Sequence, residues 1–514
     1  MYLTQALHRA VQQHPDRPAT VCGDRTRTFA ELAERVSRLA GALRGLGVAE
    51  GDRVAYLGLS SDRFLEYYLA TWWAGAVVNP VNVRWAAEEI GYSLEDSETG
   101  VLVVDDTFAP MVPALRTRWP GLHTVLHAGD GAAPEGLPSW DVLAGSGKPV
   151  PDTRRGGDEL AGLWYTGGTT GFPKGVMLSH ANLLVCAYGM GASGVFGSDA
   201  PLRYLHVAPM FHLADLAGSI GTMVLGGTHV MVPAFAPVPV MDALERHAVT
   251  HTVLIPIMIQ ALADHPELSG RDLTALRQVV YGGSPIAQAV LDRARKALPS
   301  AEFLQAYGQT ELSAVATVLG AAEHEDAGRP HLLRTGGRAA PHAEVRIVGT
   351  DGNEVPRGRS GEIAVRGGHV MLGYWRRPEE TAAVLREGWM HTGDVGRMDD
   401  EGYVEILDRL KDMIITGGEN VYSTEVENAV AGHPAVANCA VVGLPDEVWG
   451  ERVHAVVVLR DGADATVEEI REHAKATIAG YKAPRTVEFV DALPATSTGK
   501  VLKRELRARA AGTG

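Results

Sequence analysis

Residues 163–179 read LWYTGGTTGFPKGVMLS: an apolar run, a loop of glycine and threonine, and a second apolar run. The first run reads as a strand entering Thr166. Gly167, Gly168, Thr169, Thr170 and Gly171 follow, then Pro173, Lys174 and Gly175. Glycine permits positive φ and close backbone approach. Clustered backbone N–H groups, threonine hydroxyls and one lysine can together surround an anion. A Walker A loop is excluded, because that motif ends G-K-[ST] and continues into a helix, whereas Lys174 lies between proline and glycine. An ordinary flexible turn would account for the glycines alone. It does not account for a lysine and three threonines in the same loop, which therefore reads as a grip on phosphate.

Upstream, the chain alternates helix and strand patterns, as an α/β domain requires. Residues 2–13 read as a helix. Thr28 and Glu31 form a capping-box pattern ahead of the helical stripe Leu32, Val36, Leu39 and Leu43. VAYLGL (54–59), AVVNPV (76–81) and VLVVDD (101–106) read as strands, with a helix over 62–74. Tyr67, Tyr68, Trp72 and Trp73 suggest a cofactor platform, but packing against a sheet explains them better. Residues 126–157, rich in Gly, Pro and Asp, read as surface loops.

Downstream, Ser179 is placed to cap a helix from His180. RYLHVAPMFH (203–212) is a strand running into a turn that ends at His212. Further strands are expected at 227–232 and 252–255, and a helix at 286–297. QVVYGGSPI (278–286) and EFLQAYGQTELS (302–313) each end a strand in a polar turn, and both ends should share the ligand-binding rim of a parallel sheet. From 340 the pattern changes to short alternating strands between Asp-Gly, Arg-Gly and Gly-Gly turns, which predicts a small antiparallel or barrel-like subdomain. Beyond LDRLKD (407–412) a helix is expected at 424–431, strands at 438–443 and 452–459, a capped helix at 466–478 and a strand at 487–490. That is an α+β module of lid size.

The 514 residues, 46% of them hydrophobic, suffice for about three domains with large cores. A net charge of −15 disfavours nucleic acid and anionic membrane surfaces as partners. The first residues carry no long apolar core, and no stretch elsewhere reads as a membrane span. Cys22, Cys186 and Cys439 have neither metal-ligand spacing nor a disulfide framework, as expected of a cytoplasmic protein.

The 163–179 loop resembles the signature of the adenylate-forming enzymes: acyl- and aryl-CoA ligases, peptide-synthetase adenylation domains and firefly-type luciferases. The usual loop has serine where this chain has Gly167. The resemblance extends over nearly the whole chain. It implies an α/β large N-terminal domain with parallel sheets (residues 1–408, with 340–408 the barrel-like subdomain), a hinge at 409–411 and a mobile α+β C-terminal lid domain (412–514).

By the same resemblance, Tyr307-Gly308-Gln309-Thr310-Glu311 matches the family's Y-G-x-T-E run. Tyr307 would pack on adenine, Thr310 touch the α-phosphate and Glu311 hold Mg²⁺, a hard cation suited to a carboxylate beside nucleotide phosphates. Gly283 and Ser284 would flank the adenine and acyl pockets, and His212 would lie near the carboxylate pocket. Trp389 to Asp394 matches W-x-x-T-G-D, so Asp394 would accept hydrogen bonds from ribose, with Arg409 a second ribose and phosphate contact. Lys411 would be the hinge residue. Gly417 and Gly418 would line a thioester-forming tunnel, and Trp449 would stack on the CoA adenine. Lys500 would bridge α-phosphate and carboxylate as a mobile point charge. Without the resemblance Asp394 reads as a turn residue, and His212, Arg409, Lys503 and Arg504 as structural or solvated groups. Ala483 stands where some relatives carry an arginine for CoA phosphate.

The function implied is an AMP-forming acid–CoA ligase using ATP, Mg²⁺ and coenzyme A. Loading of an acyl carrier protein is the alternative, and a luciferase-like oxygenase or a noncatalytic binder fits less well. Leu213-Ala214-Asp215-Leu216 and Leu312-Ser313-Ala314-Val315-Ala316 supply small and aliphatic side chains and no basic group. They point to a monocarboxylic acid with a hydrophobic tail, ahead of a hydroxycinnamate- or benzoate-like acid. Asp215 either faces away in a salt bridge or meets a polar substituent.

Overall fold

The computed structural model describes residues 1–167, 173–197, 201–495 and 501–512. Two large sheets carry the first part of the chain. In the seven-stranded sheet, Arg53–Leu57 lies parallel between Val77–Pro80 and Val101–Val104. Thr124–His127 and Leu160–Thr166 extend it on either side. In the nine-stranded sheet, Pro18–Cys22, Thr228–Met231, Arg203–His206, His251–Leu254, Gln278–Gly282 and Glu302–Tyr307 run parallel.

Both sheets also carry antiparallel strands at their edges, which the expectation of parallel sheets did not include. The reason is connection length. Pro18–Cys22 turns into Arg25–Thr28, and Leu160–Thr166 returns as Lys174–Ser179. Links this short cannot make the crossover that parallel pairing needs. The strand after the glycine–threonine loop also distinguishes it from a Walker A loop, which continues into a helix.

Local signals behave as their chemistry dictates. The Thr28–Glu31 capping box opens the helix Phe29–Gly45, whose Leu32, Val36, Leu39 and Leu43 are buried. Ser179 accepts from the Asn182 N–H and starts His180–Ala192. Tyr67, Tyr68, Trp72 and Trp73 are core residues packed between sheet and helices.

The stretch 126–157 is a correction. It contains the end of a strand and the helix Trp140–Ser146, capped by Ser139. Trp140 is fully buried and donates its indole N–H to Glu66. One aromatic anchor outweighs a loop-like composition.

The later chain forms an antiparallel half-barrel from Glu344–Val348, Ser360–Arg366, Trp389–Met398 and Val404–Arg409. A smaller C-terminal sheet follows, built on the long hairpin Val436–Asp446 and Gly450–Leu459. It is flanked by the helices Ser423–Ala431, Val467–Lys475 and Lys503–Gly512. Among the described residues, no hydrophobic cluster mixes side chains from before and after Arg409. Polar contacts cross that point instead: the Ser423 N–H donates to Asp408, and the Leu410 N–H to the Gly393 carbonyl.

The reading of Lys503 as a solvated charge is also corrected. Its ammonium lies 2.8 Å from Glu427 and contacts Ser423, tying the last helix to the first helix of the module. Arg504 is exposed.

Candidate active site

Carboxyl ends of parallel strands create the site. The register Gly282↔Ala306 brings the turns after Gln278–Gly282 and Glu302–Tyr307 to one rim. A Cβ on Gly282 would meet the Ala306 carbonyl oxygen at 2.2 Å, so only glycine lets these backbones approach. Gly283 continues at φ +80° into Ser284.

Tyr307 ends its strand and donates its hydroxyl to Asp394 Oδ2 at 2.8 Å. Arg409 Nε meets the other oxygen of Asp394 at 2.7 Å. The last contact follows from strand pairing, because Asp394 and Arg409 are direct cross-strand partners. Enclosure first, and then the Asp394 charge, push the Tyr307 phenol well above its ordinary range, so it remains a donor. The Asp394 N–H donates to Thr392, and Glu362 accepts from the Gly393 N–H and contacts His391. Three residues far apart in sequence thus form one polar constellation.

Thr310 and Glu311 open a short 3-10 turn after Gln309. Glu311 is only 8% exposed, and its Oε1 accepts the Tyr374 hydroxyl at 2.9 Å. Ser313 (φ +51°) and Ala314 (φ +96°) follow in left-handed geometry, a costly arrangement for residues with a Cβ. Among the described residues no group of three His, Cys, Asp or Glu gathers as a metal cage. The donor chemistry still fits Mg²⁺, which keeps its waters and takes one or two carboxylates beside substrate phosphates. Glu311 is a carboxylate of that kind.

Thr166 and Gly167 lead into the glycine–threonine loop, and Thr166 pairs across the strands with Lys174. Gly168, Thr169, Thr170, Gly171 and Lys500 lie outside the described residues. Lys174 forms an ion pair with Glu380 and sits 5.1 Å over the Tyr374 ring. Neither Tyr374 nor Glu380 stood out in the sequence. The only signal was an aromatic in LGYW and a glutamate in a run of charges.

His212 precedes the helix Leu213–Leu225 and packs its ring 4.1 Å from that of Phe211. Burial, reinforced by Arg84, lowers its pKa to about 4, so it is neutral near pH 7. Asp215, on the same helix, is fully buried and pairs with His206 at 2.8 Å. Of the two readings left open for it, the structure shows the paired one.

On the C-terminal module, Gly417 (φ +60°) and Gly418 (φ +81°) form the two-residue turn between Ile414–Thr416 and Glu419–Val421. Positive φ at both positions is what this hairpin geometry demands. Trp449 is 42% exposed; a Cβ on Gly417 would lie 2.9 Å from its ring, and Arg485 lies 4.4 Å over it. Ala483 is buried in the module's core. Lys411 is held below its usual pKa chiefly by desolvation.

A family model described as AMP-binding enzyme matches residues 7–375, and that of the AMP-binding enzyme C-terminal domain matches 425–500. A feruloyl-CoA synthase of Amycolatopsis sp is 41% identical over 98% of this chain and 97% of its own. A fatty acid–[acyl-carrier-protein] ligase, ScoC of Streptomyces coeruleorubidus, is 36% identical over 99% and 96%. Among solved structures, ATP-bound MatB from Rhodopseudomonas palustris superposes with a TM-score of 0.89 at 32% identity, over 99% of both chains.

Proposed function

The chain belongs to the AMP-binding enzyme family and is an enzyme of the AMP-forming acyl-CoA ligase type, and from this we propose that it joins a hydrophobic monocarboxylic acid to free CoA. In the first half-reaction the acid carboxylate attacks the α-phosphorus of MgATP and pyrophosphate leaves. In the second the CoA sulfur attacks the acyl carbon and AMP leaves. The observation that carries the nucleotide half is the Tyr307–Asp394–Arg409 constellation, with one carboxylate accepting from a phenol and facing a guanidinium.

Roles follow from chemistry. Asp394 and Arg409 would take the ribose and Tyr307 the adenine face. Thr166, Gly167, Gly168, Thr169, Thr170, Gly171 and Lys174 would hold the β- and γ-phosphates. Thr310 and Lys500 would meet the α-phosphate, and Glu311 would supply the metal carboxylate. Bound there, Mg²⁺ neutralises charge on the phosphates. Neutral His212 would border the acid's carboxylate. Residues 1–408 would act as a core and 412–514 as a lid turning about 409–411, bringing Gly417, Gly418 and Trp449 to the acceptor thiol. The hydrophobic tail is supported by Leu213, Leu312, Val315 and Ala316, all buried and without a basic neighbour in their segments. A burial gain of roughly 0.8 kcal/mol per methylene favours apolar tails there.

A second reading, an aryl acid of the hydroxycinnamate or benzoate type, is favoured by the 41% identity to a feruloyl-CoA synthase. The ScoC likeness likewise makes a carrier protein the rival acceptor. A competition panel of fatty, cinnamic, benzoic and polycyclic acids, scored by kcat/KM for CoA ester formation, tests both. Preference for a small aryl acid replaces the tail assignment. Transfer only to a phosphopantetheinylated protein replaces the acceptor.

A further inference from the structure

Residues 371–375 link the turn carrying Glu311 to the strand carrying Lys174. The Met371 N–H donates to the Glu311 carbonyl, the Leu372 N–H to the Met177 carbonyl and the Trp375 N–H to the Gly175 carbonyl. Tyr374, only 8% exposed, lies at the centre of this bridge. Its hydroxyl is bonded to Glu311, and its ring lies beneath the Lys174 ammonium. Glu380, from the adjoining helix Pro378–Val384, pairs with that ammonium through Oε2, while Oε1 lies 3.7 Å from Arg377 Nε. One phenol therefore touches both the carboxylate read as the metal ligand and the lysine read as a phosphate contact.

We propose that Tyr374 and Glu380 are a positioning pair for the nucleotide's phosphates: Tyr374 fixes Glu311 and underlies Lys174, and Glu380 holds Lys174 until a triphosphate displaces it. This rests on the MgATP reading of the same site. The exchange is inexpensive, because Glu380 keeps Arg377 when Lys174 leaves, and both ends of the ion pair are partly exposed, at 28% and 40%. Such pairs are worth little in water. Glu380 thus competes with ATP weakly enough to be displaced, yet it keeps the lysine extended across the ring.

Calorimetric titration of the full chain with ATP, once with Mg²⁺ and once with EDTA, tests this without turnover. Glu380→Gln should bind ATP about two- to fivefold more tightly in both conditions. The gain should shrink at high salt and vanish in a Lys174→Met background. Tyr374→Phe keeps the ring under Lys174 but loses the donor to Glu311. It should forfeit about tenfold of the affinity that Mg²⁺ adds and leave binding in EDTA unchanged. The proposal is overturned if Glu380→Gln binds ATP no more tightly, if its gain survives loss of Lys174, or if Tyr374→Phe loses equally in both conditions. Weaker binding by Lys174→Met together with an unaltered Glu380→Gln overturns only the positioning pair. Unchanged binding by Lys174→Met removes the phosphate-loop reading and the proposal with it.

Discussion

Asp394 and Trp449, the residues proposed for the two halves of the site, stand under opposite physical conditions. Asp394 is 5% exposed and shares its carboxylate between Tyr307 and Arg409, with its own N–H bonded to Thr392. Trp449 keeps 42% of its surface in solvent, braced by one guanidinium and a glycine turn. A nucleotide bound in both half-reactions rewards a fixed, prepaid arrangement. An acceptor that enters only after the first step needs a surface that can be presented late, and exposed turns suit that use.

The contrast breaks most visibly at Lys500. Lys500→Ala should lower acyl-adenylate formation by about 100- to 1,000-fold, the scale of a lost electrostatic contact in a transition state, and spare thioester formation from preformed adenylate. Equal losses in rapid-quench assays of the two steps would erase the division.

Asp394→Ala comes next. It strips Tyr307 and Arg409 of a common acceptor, so ATP kcat/KM should fall by about 10- to 100-fold. Steady-state titration of ATP reads this directly; a change confined to CoA parameters would place Asp394 on the wrong side of the comparison.

Trp449→Ala should raise the KM for CoA by about tenfold, as loss of one base–aromatic stack does. ATP–pyrophosphate exchange should stay as in the parent, and an unchanged CoA titration would leave Trp449 as a brace for Gly417 alone.

Acid should separate the two regions by the smallest margin. Burial lowers His180, His212 and His251 to about 4, against about 6.5 in an unfolded chain. Their neutral forms contribute full stability above 6.5. As pH falls from 6.5 towards 4 the unfolded chain binds protons that the folded one refuses, so stability declines through that window. All three lie before Arg409. In the C-terminal module burial lowers one histidine, His454, but raises Glu427, a shift whose contribution is complete at low pH and lost as pH rises through its folded value. Between pH 7 and 5, hydrogen-exchange protection, corrected for the intrinsic exchange rate at each pH, should therefore fall first in the large domain. Earlier loss of protection in the module would reverse the assignment.

Much of this was legible in the sequence wherever a local rule had only one solution. The boxes at Thr28 and Thr466 fix helix starts, and the strands before Gly282 and Tyr307 fix the rim. Tyr307, Asp394 and Arg409 were identifiable by resemblance, but that they touch is a product of strand register. What escaped depended on distant partners. Trp140 is buried because Glu66, on another helix, accepts its N–H. Lys503 looks solvated until Glu427 is brought beside it. Tyr374 carries no chemical mark in the chain and gains its meaning only from Glu311 and Lys174.

The strand Pro18–Cys22 has a consequence for how the molecule is made. It enters the nine-stranded sheet beside Thr228–Met231, with Thr20 opposite His229, about two hundred positions later. Until that later strand leaves the ribosome, the first one has no parallel partner and presents an unpaired edge. Pairings so remote in sequence slow folding, and exposed edges invite association between chains. Nascent chains halted before residue 228 should therefore depend on chaperones more than chains halted just after 231.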